Sequence, residues 1–205
     1  RLLEPDAGAI RFRGINLKAW DARALRKTFG VVFQDFSKFK LTLYENIALA
    51  LNGGSASNHR DAVLSAARVA GVDDEIASRV PQGYETQLGK EFLNGTDLSG
   101  GQWQRIALAR GFVRDAEVIF LDEPTASLDA TTEKALIDQL MVLAQNKTAI
   151  IISHRLFVTP MVDRILVLEH GRLVEEGTHQ QLMKQDGVYA EMFKTQVGMY
   201  WPTTQ

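Results

Sequence analysis

Four short segments carry residues whose types and spacing could do chemistry. Leu98-Ser99-Gly100-Gly101-Gln102 opens a helical pattern. Two consecutive glycines let a backbone approach a ligand closely. The first N–H groups of a helix lack internal partners, and a serine hydroxyl adds a donor, so the segment reads as an anion site. Its blander reading is a capped helix after a glycine turn. The apolar run Val118–Leu121 ends in Asp122-Glu123-Pro124. Successive strand side chains point to opposite faces, so the two carboxylates take different jobs. One suits the shell of a Mg²⁺-nucleotide; the other suits the orienting or deprotonation of water. The plain alternative is a pair of solvated acids. Ile150-Ile151-Ile152 ends in Ser153-His154, where an imidazole could bond a phosphate oxygen or a water, or be a satisfied structural group. Gln34 follows Val31-Val32-Phe33 and offers a neutral amide to a metal ion or its water.

These residues need elements to hold them. Ile10–Arg13 alternates as a strand, Gly14–Leu17 reads as a turn, and Asp21–Lys27 as a short helix. Val31–Phe33 is a short buried strand. Ala62, Val63, Ala66, Ala67 and Ala70 recur at helical spacing over His59–Ala70, which Gly71 terminates. Ser99 sits as the N-cap of a helix reaching Arg114. Glu117–Leu121 and Thr148–Ile152 read as buried parallel strands, with Thr132–Ala144 as the crossover helix bearing Leu136, Leu140 and Leu143. Strand, helix, strand at this spacing predicts a right-handed βαβ unit. Ile165–Leu168 and Arg172–Val174 flank a glycine turn as a hairpin, and His179–Gln196 reads as one or two amphipathic helices. The pattern predicts an α/β fold: a parallel-sheet core from residues 1–40 and 116–205, with a helical insert over 41–115.

Composition sets outer limits. The chain has 205 residues, between one and two domains at roughly 150 residues each. It is 45% apolar and 23% charged with five prolines, which excludes a disordered or collagenous chain. The net charge of −2 gives no reason to expect nucleic acid as a partner. The absence of cysteine excludes disulfides and thiolate metal sites. The apolar runs are far shorter than the about 20 residues a membrane span needs.

In order and spacing, the four segments together resemble the nucleotide-binding domain of ATP-binding cassette (ABC) proteins, a P-loop NTPase (RecA-like) fold with a helical signature subdomain. Leu98–Gln102 is similar to the family's signature motif, Gln34 to its Q-loop, Val118–Glu123 to its Walker B strand, Ser127-Leu128-Asp129 to its D-loop, and His154 to its switch histidine. The resemblance implies ATP and Mg²⁺ as cofactors. Asp122 would help hold Mg²⁺, mostly through water, and Glu123 would be the catalytic base. His154 would contact the γ-phosphate. Gln34 would sense metal and water and link the site to a transport domain. It further implies head-to-tail dimers with a second such domain, identical or different. There Ser99, Gly100, Gly101 and Gln102 close over the opposite subunit's ATP, with Asp129 at the interface. Phe36–Phe39 would lie near a groove receiving a coupling helix from a membrane domain.

Thr86–Glu91 and Gly171–His179 look like bacterial exporters, with the membrane domain fused upstream and the ATPase at the cytoplasmic face of the inner membrane. Gln87, Lys90 and a longer loop before the signature depart from the usual exporter pattern.

One family motif does not occur. No Gly-x-x-x-x-Gly-Lys-Ser/Thr segment, which would cradle the β- and γ-phosphates, exists in the 205 residues. Arg1–Gly8 resembles the family's junction just after that loop, which implies a chain cut there and a piece inactive by itself. Two functional classes follow: the ATPase domain of an exporter, or a non-catalytic module lending its signature face to a partner's ATP. Intact Glu123 and His154 favour the first. A soluble ABC ATPase of DNA repair or translation is the third class, disfavoured by the lack of basic excess and of a coiled-coil insert.

Overall fold

The computed structural model describes residues 3–51, 59–114, 116–124, 130–144 and 147–200. They divide into two compact units, Arg1–Ile152 and Ser153–Gln205.

Ile15–Asn16, expected within a turn, is a strand (β2) paired antiparallel with β1, Arg11–Phe12. Arg13 and Gly14 both take positive φ, 51° and 76°, which makes a two-residue turn of the kind that matches strand twist. The expected strand therefore gives up both its ends to the turn and to Ile10. Helix α1 (Ala22–Lys27) starts at Asp21, whose carboxylate accepts the Ala24 N–H at 2.8 Å. Strand β3 is Phe29–Val32, earlier than expected, which leaves Phe33 outside it and exposed. Phe12, Phe29 and Phe120 form a tilted aromatic row, with centroids 5.2 and 5.8 Å apart, joining the hairpin to the sheet.

Three helices follow. α2 (Leu43–Ala48) begins with a reciprocal capping box between Thr42 and Glu45. α3 (Arg60–Val69) ends before Gly71, whose φ of 67° fits a helix terminus. A methyl at Gly71 would also collide with the Arg105 guanidinium. A π-helical turn, Asp73–Ala77, comes next. α4 (Gly100–Phe112) is buried almost all round, from Trp103 through Ala109.

β4 (Val118–Asp122), α5 (Ala130–Ala144) and β5 (Thr148–Ile152) complete the unit. The order β3-β4-β5 is parallel throughout, with Val32 opposite Leu121 and Leu121 opposite Ile151. α4 lies so close to β3 that a methyl at Gly30 would stand 2.6 Å from the Gly111 carbonyl. One at Gly111 would stand 2.5 Å from Val32 Cγ2. These glycines let helix and sheet touch backbone to backbone.

The second unit begins with Ser153 and His154 and a 3₁₀ segment, Leu156–Met161. β6 (Ile165–Glu169) and β7 (Arg172–Gly177) form the expected hairpin, turning at His170 and Gly171 with φ of 49° and 75°. The tail resolves into two helices, α6 (His179–Gln185) and α7 (Val188–Tyr200), around a core of Ile165, Val167, Leu182 and Tyr189. Among the described residues no helix is long and apolar enough to cross a membrane.

Candidate functional site

Ser99 caps α4 with extended backbone, φ −64° and ψ 163°. Its hydroxyl oxygen accepts the Gln102 N–H at 3.3 Å, and the Gln102 side-chain oxygen accepts the Ser99 N–H at 2.9 Å. Gly100 and Gly101 take the first two helical positions, where backbone N–H groups have no carbonyl one turn earlier. Ser99 and Gly100 are exposed, so the helix start faces solvent. Gln102 does more than close the cap: its amide nitrogen donates to the Glu75 carbonyl at 3.0 Å. Both ends of its amide are thus engaged within the chain, tying α4 to the π-helical turn.

Asp122 ends β4, in the same sheet row as Ile152 and on the face that carries Val118 and Phe120. Glu123 follows with φ 46°, a left-handed conformation unusual for a glutamate. Three bonds hold it there. Its N–H donates to the Ile152 carbonyl at 2.9 Å, its carbonyl accepts a long 3.4 Å bond from the Gln104 amide, and its carboxylate accepts the Gln34 amide at 2.9 Å. Backbone conformations of this kind persist only where neighbours over-determine them. Gln34 and Glu123, 89 residues apart, are therefore brought together at one edge of the sheet. Gln104, only 3% exposed, supports the candidate site and falls within none of the four sequence motifs. Its signal is a neutral amide inside an otherwise buried helical run.

The segment after Gln34 is also organised. Asn46, fully buried, donates its amide to the carbonyls of Phe39, Leu41 and Thr42 at 3.1, 3.2 and 2.9 Å. Arg110 of α4 donates to the carbonyls of Asn46, at 2.7 Å, and of Ser37, and lies over the Phe39 ring at 5.1 Å. Burial pushes the Arg110 guanidinium down to about 10, still cationic at neutral pH. A shallow hollow between Val31, Phe33, Asp35, Phe36 and Phe39 opens beside Arg110.

His154 belongs to the second unit and is exposed. Asp129, like Ser127 and Leu128, lies outside the described residues. Among the described residues no three His, Asp or Glu side chains form a metal cage. Asp122 and Gln34 supply one carboxylate and one amide. That donor set fits Mg²⁺ arriving with phosphate oxygens and water of its own, and does not fit a stand-alone metal site.

Comparison with known proteins gives a consistent pattern. The ABC transporter family model matches residues 1–126. The chain is 39% identical over 196 residues to an ATP-dependent lipid A-core flippase of Idiomarina loihiensis, covering 96% of this chain and 32% of that protein. It is 39% identical over 192 residues to the subtilin transport ATP-binding protein SpaT of Bacillus subtilis, covering 93% and 31%. A solved bacterial Atm1-family ABC exporter with ATP bound superposes with a TM-score of 0.85 at 38% identity, covering 96% of this chain and 33% of that one. The chain thus spans about a third of the length of the relatives it matches.

Proposed function

This chain belongs to the ABC transporter family, and from that premise we propose that it is the ATP-binding and ATP-hydrolysing domain of an exporter. The observation that carries the reading is the strained Glu123, held at the end of β4 with its carboxylate on the Gln34 amide. A base needs a fixed carboxylate beside a polar partner that leaves its charge intact, and an amide is such a partner. In this reading Glu123 orients and deprotonates the attacking water. Asp122 and Gln34 face Mg²⁺, which supplies charge neutralisation on the phosphates when bound. His154 contacts the γ-phosphate. Ser99, Gly100, Gly101 and Gln102 present the open start of α4 to ATP on a second copy or a paralogous domain, with Asp129 at the same interface. Residues 41–115 form the helical subdomain that carries this face.

The hollow by Phe36 and Phe39 receives a helix of the membrane domain, and Arg110 joins its floor to α4. The whole protein sits at the inner membrane with this domain on the cytoplasmic side. A lipid-type cargo, as the name of the flippase relatives suggests, is the favoured substrate class.

The test is ATP turnover by the full-length protein in proteoliposomes. Glu123→Gln is expected to slow it by roughly a hundredfold or more while ATP binding persists. Unchanged turnover in that variant overturns Glu123 as the base. The 205-residue chain by itself, which carries no Gly-x-x-x-x-Gly-Lys-Ser/Thr segment, is expected to bind Mg-ATP poorly by calorimetry.

A further inference from the structure

Gln196, on α7, spans the backbone on both sides of residue 155. Its amide nitrogen donates to the His154 carbonyl at 2.6 Å, and its amide oxygen accepts the Leu156 N–H at 2.6 Å. An amide gripping the carbonyl of one residue and the N–H of the second residue on reproduces what a neighbouring strand would do for an extended segment. Ser153 completes the hold from within. Its hydroxyl oxygen accepts the Arg155 N–H at 2.9 Å, and its hydroxyl donates back to the Arg155 carbonyl at 3.2 Å. The His154 side chain meanwhile stays exposed.

One helical face carries a second attachment. Tyr189 lies seven residues before Gln196 on α7, two turns along one side. Its buried hydroxyl is 2.6 Å from Thr159 Oγ1 and 2.6 Å from His179 Nδ1, and Thr159 donates to the Leu156 carbonyl at 2.6 Å. Leu156 is therefore held at its N–H by Gln196 and at its carbonyl through Thr159 and Tyr189. The core of this unit is built on Tyr189, so α7 offers a rigid anchor.

We propose that Gln196 is a positioning residue for His154: the bidentate grip of α7 sets the backbone from which the exposed imidazole reaches its target. The proposal rests on the reading of His154 as the γ-phosphate contact. Small misplacements of a contact group weaken catalysis more than they weaken binding when the contact tightens in the transition state. Gln196 should thus affect kcat more than KM. It should act only while His154 is present.

The experiment is steady-state ATP hydrolysis by the full-length protein carrying Gln196→Met, His154→Ala, or both. Methionine keeps the length and packing of the side chain and removes both bonds. Gln196→Met should lower kcat between roughly tenfold and a hundredfold with KM for ATP within about twofold. In the His154→Ala background it should cause no further loss. Thr195→Ala, on the neighbouring position, should leave turnover unchanged. If Gln196→Met does not fold, Gln196→Glu takes its place; it keeps the acceptor for Leu156 and sets a carboxylate against the His154 carbonyl. If His154→Ala leaves turnover intact, the reading of His154 fails. If His154→Ala slows turnover while the Gln196 variant does not, or if the two losses multiply, the positioning role is overturned and the His154 reading stands.

Discussion

Val32, Leu121 and Ile151 stand in one row of the sheet, and Val31, Phe120 and Ile150 in the row beside it. The first row lies on the face beneath α4, where Val32 and Leu121 are 3% and 2% exposed. The second lies on the opposite face, where Val31 and Ile150 are 40% and 42% exposed. One residue of register separates a packed layer from an accessible one. The packed layer carries the fold: Gly30 and Gly111 bring backbones into contact there, and Gln104 reaches from α4 to Glu123. The accessible layer carries Asp122 at its end. The two faces of the same three strands thus differ in packing, and both meet the candidate site: Asp122 ends the open face, while Gln104 holds Glu123 from the packed one. Substitutions should separate them.

The largest effect on stability is expected at Leu121. Truncation to alanine leaves a cavity under α4 and should cost about 2–5 kcal/mol in urea unfolding followed by tryptophan fluorescence. Gly111→Val should come next, at about 1–3 kcal/mol, because the new methyls press on the buried Val32 side chain. Ser99→Ala removes one half of the α4 capping box and should cost about 1 kcal/mol. Ile150→Thr, on the open face, should change stability by no more than about 0.5 kcal/mol. A cost at Ile150 equal to that at Leu121 would mean that both faces are equally buried in solution.

The packed side was largely legible in the sequence. α3 and its terminating Gly71, the Ser99 cap, β4, the hairpin at His170-Gly171 and the two-helix tail follow from apolar periodicity and turn chemistry; β5, expected as a buried strand, is open on one face, with Ile150 and Ile152 42% and 54% exposed. What escaped has physical reasons. α2 is only six residues long, too short for periodicity to register, although Thr42 and Glu45 carry its capping signature. The Arg13-Gly14 turn hides in a stretch where glycine alone marks a bend, and a positive φ at arginine has no sequence signal. The candidate site was legible as residue types at strand ends. Its geometry was not: nothing local announces that Glu123 turns left-handed, that Gln34 meets its carboxylate, or that Gln196 grips the backbone of His154. These are contacts across 89 and 42 residues, set by tertiary packing.

The proposed role of Glu123 as the group that activates water can be read in the chemical state of nucleotide bound to the full-length Glu123→Gln variant after a single turnover's worth of Mg-ATP. Retention of intact ATP over many wild-type turnover times is the predicted result. Conversion of the bound ATP to ADP and phosphate at the wild-type rate would contradict it.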